Sequence, residues 1–195
     1  VYVAYLSQKG SMEPQTWVGV FWVLTLFSAV NASLKSFFSD SRGLRIYYFN
    51  MARPEAFILG KTIYNFLLIT LVSFIAFATF SFLNGNPILQ KSLFLLYLIP
   101  GALGLAAVLS LMAAIASKSG NSFTLLAILS FPLFIPVLLI SLKLSMLAMN
   151  GLEFAAAAKY FFSLIALDSI AILLSYLLFP YLWKESKRWS ETGGK

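Results

Sequence analysis

The sequence predicts an all-α integral membrane protein, a polytopic bundle of transmembrane helices. Two observations carry the bundle. Of the 195 residues, 60% are hydrophobic and 11% are charged, against roughly 45–50% and about 25% in a soluble domain. The apolar residues also fall in runs at least as long as the roughly 20 residues a spanning helix needs. A bundle is the architecture such runs allow, because each spanning helix satisfies its own backbone hydrogen bonds.

Five complete runs are legible: Trp17 to Phe38, Ala56 to Leu83, Leu93 to Ala116, Phe123 to Leu144, and Tyr160 to Trp183. Val1 to Leu6 is also apolar, without an initiator Met or a positively charged leader, and resembles the last turns of a truncated span. Six spans are therefore expected in the native chain. The whole of 1–195 reads as one transmembrane domain, with no internal repeat, low-complexity tract or linker.

The connections are short, so successive loops alternate sides. Placing 39–55, 117–122 and the tail from Lys184 in the cytoplasm, with the flanking helix ends, gathers Lys35, Arg42, Arg45, Arg53, Lys61, Lys118, Lys184, Lys187, Arg188 and Lys195. Only Lys9, Lys91, Lys143 and Lys159 remain outside, from a total of 14 Lys and Arg. The positive-inside rule sets the orientation and accounts for the net charge of +7 without nucleic acid. It also makes 184–195 a cytoplasmic basic tail. Trp17 at the outer boundary, and Tyr181 and Trp183 at the inner one, fit the interfacial aromatic belt.

Composition excludes most chemistry. With no His and no Cys, disulfides, thiolate nucleophiles, His-ligated metal and His-based triads are all absent. The apolar share provides for five or six spans and no separate catalytic domain. Neither catalytic residues nor a metal site are expected.

Segment 39–55 is the most informative. Leu44, Tyr47, Tyr48 and Met51 fall at i, i+3, i+4 and i+7, with Arg42 and Arg45 on another face, the pattern of a short helix lying along the membrane. Arg53, Pro54 and Glu55 then restart a helix, with proline in the first turn and the acid at the positive end of the dipole. Two readings stand: an ordinary positive-inside loop, or a coupling helix by which a permease docks on a cytoplasmic ATPase.

Asp168 is the acid lying well inside an apolar run, about eight residues or ~12 Å from its outer end. It marks a pathway by default, against the alternative of a structural pair with Lys143 on the preceding antiparallel span. Pro132 and Pro136 each remove a backbone hydrogen bond, so that run is expected to be kinked or broken, although prolines also occur in static membrane helices. Gly101, Gly104, Ala107, Ser110 and Ala114 form a small-residue stripe suited to close packing. Asn31, Tyr64 and Asn65, on the cytoplasmic halves of neighbouring spans, read as interhelical hydrogen-bond partners before substrate ligands. The run Gly85-Asn86-Pro87-Ile88-Leu89-Gln90-Lys91-Ser92 imitates a phosphate-binding loop, but Gln90 replaces the second glycine and no strand precedes it. ATP binding by this chain is rejected.

Two blocks carry a family resemblance. The first comprises Phe21 to Ala32, Lys35-Ser36-Phe37, Tyr47-Tyr48, Pro54-Glu55 and Gly60 to Asn65. The second comprises Ala114 to Asn121 and Leu129 to Leu138. Together they resemble the CcmB family, the permease subunit of the haem-exporter-type ABC transporter of cytochrome c maturation, and they cover about a third of the chain. The chain departs from the family at its start, where the family has a cytoplasmic segment and an entire first span.

The resemblance implies a multi-pass permease of the bacterial cytoplasmic (inner) membrane. Its partners would be the ATPase CcmA, which binds the ATP, the subunits CcmC and CcmD, and, indirectly, the haem chaperone CcmE. It implies haem export or ATP-driven release of haem-loaded CcmE, with haem as a handled species and no cofactor bound directly. Without His or Cys, this chain could ligate haem iron only through Met or Tyr. Lys35 through Lys61 would be the family's cytoplasmic loop, with Arg42, Arg45, Tyr47, Tyr48, Arg53, Pro54 and Glu55 coupling to the ATPase. The alternatives are an ABC export permease for another cargo, such as a lipid, drug or polysaccharide, and a non-transporting scaffold.

Overall fold

The computed structural model describes residues 13–38, 54–116 and 122–192, apart from the side chains of 38, 84, 122–127 and 182–192. The described residues form five helices: α1 (Pro14–Phe38), α2 (Pro54–Asn84), α3 (Lys91–Ala116), α4 (Ser122–Met149) and α5 (Phe154–Thr192). Each is long and apolar enough to cross a membrane, and no strand occurs among the described residues. Residues 1–12, with the expected truncated span, lie outside the description, as do 39–53 and 117–121.

Local chemistry sets the ends. Pro14 and Pro54 occupy first turns, where a missing N–H costs nothing, and the Trp17 amide donates to the Glu13 carbonyl at 3.0 Å, closing the first turn of α1. Glu55 lies in the first turn of α2, where the helix dipole favours an acid. At the far end of α4, Gly151 has φ +74°. Its amide donates to the Ala148 carbonyl at 3.2 Å and that of Leu152 to Leu147 at 3.1 Å, a Schellman cap.

The α2–α3 connection completes that cap. The Leu89 and Gln90 amides donate to Met149 and Ala148 at 3.4 and 3.0 Å, and the Gln90 side chain donates to Gly151 at 3.1 Å. The imitation phosphate loop therefore spends its Leu89 and Gln90 amides on the end of α4 and its Ile88 amide on the Asn86 side chain.

Two helices run longer than their apolar runs suggested. α4 continues through Lys143 and Ser145 to Met149, and α5 begins at Phe154 rather than Tyr160. The buried Leu144, Ser145 and Ala148 hold the end of α4 on the bundle, and α5 starts early in a run of four alanines, the strongest helix formers.

The core sits on α3. Its spanning window is 83% buried, against 17% in α2 and in α5, and it contacts all four other helices. Its small residues permit this: Gly101, Gly104, Ala107, Ser110 and Ala114 are all buried, as close helix packing requires. Aromatic rings fill one end, where Trp17 stacks on Phe21 at 5.8 Å and meets Phe77, Phe80 and Phe94 edge-on. Trp17 is thus a core residue with 0% exposure, not a member of the interfacial belt. Tyr181 is exposed, as the belt requires.

The two prolines do not break α4. The helix is continuous through both, correcting the expectation of a break. Pro132 is exposed and Pro136 half-buried, so the rings and the amides they lack disturb one side of the helix, away from its contact with α3.

Candidate functional site

Three groups of residues were singled out by sequence, and the structure treats them differently. In the coupling segment, Arg42, Arg45, Tyr47, Tyr48 and Arg53 lie outside the described residues. Pro54 and Glu55 open α2, and Glu55 lines a recess of ≈ 240 Å³ with Tyr176, Leu177, Pro180 and Tyr181 of α5. Behind it Phe57 stacks on Phe179 at 5.8 Å, tying the start of α2 to α5.

Asp168 lies at the centre of the bundle. It is 1% exposed, and neither carboxylate oxygen has a hydrogen-bond partner. A β-carbon at Gly104 would overlap its Oδ1 and come within 2.7 Å of Val137 Cγ1. The carboxylate therefore occupies space that glycine leaves open where α3, α4 and α5 meet. One heptad away on both helices, Tyr97 of α3 packs on Phe161 of α5 at 5.9 Å, so the two contacts are successive rungs of one parallel seam. Because α5 starts at Phe154, Asp168 is ~21 Å down the helix, near the middle of a bilayer.

The expected pair with Lys143 does not form. The Lys143 ammonium lies over the Tyr160 ring, 6.0 Å from its centroid. Depth explains the mismatch: Lys143 is six residues, ~9 Å, from the end of α4, whereas Asp168 is ~21 Å from the start of α5. An acid buried without a partner at mid-membrane costs stability.

Of the three remaining polar residues, Asn65 is buried and donates from Nδ2 to Ser110 Oγ of α3 at 2.8 Å, the interhelical bond its position suggested. Asn31 and Tyr64 do not bridge helices. Asn31 donates to the Phe27 carbonyl of its own helix at 3.0 Å, and Tyr64 is 55% exposed. Both line an open cleft of ≈ 630 Å³ between α1 and α2, with Ser28, Lys35, Ser36 and Lys61.

Sequence reading missed the bond from Trp22 Nε1 to Ser145 Oγ, 2.8 Å and buried, which ties α1 to α4. Trp22 lies across Gly101, where a β-carbon would overlap the ring and sit 2.9 Å from Ser141 Oγ. Only the small-residue stripe hinted at it, since partners 123 residues apart leave no local pattern.

Among the described residues no group of His, Cys, Asp or Glu could hold a metal ion. Over the same residues the arrangement offers a packed central helix and a buried carboxylate held where α3 and α5 meet at Gly104.

Comparison with known proteins gives one family. The family model described as CcmB protein matches residues 11–181, a span that includes all of α1 to α4 and the apolar part of α5. No curated protein and no solved structure matches the chain.

Proposed function

Because this chain belongs to the CcmB family, a transporter permease family of the cytochrome c maturation haem-export ABC system, we propose that it is the permease on which CcmA, the ATPase of that system, works. The multi-pass helical membrane architecture and the family match over 11–181 support the reading, and the match is the observation that carries it.

In this reading the side bearing 39–53 and the basic tail is cytoplasmic, and the membrane is the bacterial inner one. ATP-driven closure of the ATPase pushes on 39–55 through Arg42, Arg45, Arg53 and the Tyr47 and Tyr48 rings. The push enters α1 and α2, whose ends this segment joins. α1 carries it to α4 through Trp22 and Ser145, and both helices bear on α3. Movement along the α3–α5 seam changes the surroundings of Asp168, the one group there that gains from water or a cation when the seam opens. The output is release of haem-loaded CcmE, with CcmC and CcmD in the same complex. Haem, where this subunit touches it, is held by aromatic and apolar contacts.

The experiment is charge reversal of Arg42 and Arg45 to Glu. The expected result is a protein that inserts normally and no longer retains the ATPase. Normal assembly and ATP hydrolysis would overturn the coupling assignment.

A further inference from the structure

Lys61 of α2 fastens the end of α1, and a row of phenyl rings carries that fastening to α5. We propose that Lys61 is the positioning residue of a splint formed with Phe37, Phe57 and Phe179. The splint makes the helix ends on either side of 39–53 move with α5, and so delivers a push on that segment to the helix that bears Asp168. The delivery rests on the function proposed above; the splint itself does not.

The end of α1 sets the chemistry. Ser36 is the third residue from that end, and its carbonyl is among the last four, which a helix leaves without a donor of its own. Lys61 donates to it from 25 residues further along the chain. Its ammonium also puts a positive charge at the negative end of the α1 dipole.

Rings surround the same ammonium. It lies over Phe37 of α1 and Phe57 of α2, 5.8 and 5.7 Å from their centroids, within cation–π range. Phe37 meets Phe57 edge-on at 6.4 Å, and Phe57 stacks on Phe179 of α5 at 5.8 Å. Phe37 and Phe179 are both buried. The row therefore runs from α1 through α2 to α5, where α1 ends and α2 begins.

The far end of the row points to its use. Phe179 follows Asp168 by eleven residues, about three turns or ~16 Å of helix, so the two share one face of α5, and both are buried. Phe161, on that face, packs on Tyr97. A shift of Phe179 with Phe57 displaces this face along the seam where Asp168 meets Gly104. The tie through Trp22 and Ser145 reaches α4 instead.

The test uses the full-length protein in nanodiscs, with spin labels on Lys35→Cys in α1 and Leu177→Cys in α5. Both positions are exposed, and the chain has no Cys of its own. The distance between the labels should form one narrow distribution, broadened by Lys61→Met and narrow again in Lys61→Arg, which keeps the donor and the charge. Phe57→Leu leaves Lys61 in place and should broaden it as well, so the test stands even if Lys61→Met does not fold. A distribution unchanged by either substitution would overturn the splint. In complex with the ATPase, Lys61→Met without labels should retain that partner and lose the stimulation by the loaded chaperone, and Lys61→Arg should recover it. Full stimulation in Lys61→Met would overturn the delivery. A wild type that is not stimulated at all would overturn the delivery together with the proposed function, while the distances still decide the splint.

Discussion

Gly104 and Asp168 face each other across the α3–α5 seam so closely that the side chain glycine lacks is the space the carboxylate fills. Residues this close are energetically coupled. Gly104→Ala should destabilise the protein by about 1–3 kcal/mol, the range for overpacking, measured by unfolding in mixed detergent. In the Asp168→Ala background the same change should cost less than in the wild type. Additive costs would show that the two side chains do not contend for the same space.

Asp168→Asn separates fold from function. Because both carboxylate oxygens are buried without partners, the amide should leave stability unchanged or raise it. Turnover of the complex should fall by about tenfold, the loss of an interaction worth ~1.4 kcal/mol. Full turnover with an unchanged melting temperature would make Asp168 a bystander.

Much of this was legible in the sequence, for physical reasons that also set the limits. Spans read well because apolar length is a one-dimensional property. Pro54 marked the start of α2 because a proline acts on its own backbone. Asp168 stood out because a lone acid in an apolar run is rare. Its surroundings did not, since depth depends on where α5 begins, and the apolar, Ala-rich turns from Phe154 precede the run read from Tyr160. The same limit misplaced Trp17: an indole near a span end suits a membrane interface or a core, and only its neighbours decide. The prolines of α4 signalled a break that the helix does not show, since it runs on through both.

Trp22 and Ser145 form the tie from α1 to α4. Trp22→Phe and Ser145→Ala should each cost about 1 kcal/mol, the usual net worth of a buried hydrogen bond. The double variant should cost little more than either alone. If the two costs add in full, the bond contributes nothing as a pair.

Asn65→Ala removes the donor to Ser110 on α3. The expected loss is about 0.5–1.5 kcal/mol, and Asn65→Asp should be worse, because it places a second acid in the bundle. Equal melting temperatures for the wild type and both variants would remove this bond from the account.

The central claim is that this chain is the permease on which a dedicated ATPase works in cytochrome c maturation. Its most direct test is ATP hydrolysis by the full-length protein purified with CcmA, CcmC and CcmD, measured with and without haem-loaded CcmE. The account predicts stimulation by the loaded chaperone, lost in Arg42→Glu/Arg45→Glu. Hydrolysis indifferent to the chaperone, or equal in the variant, would contradict it.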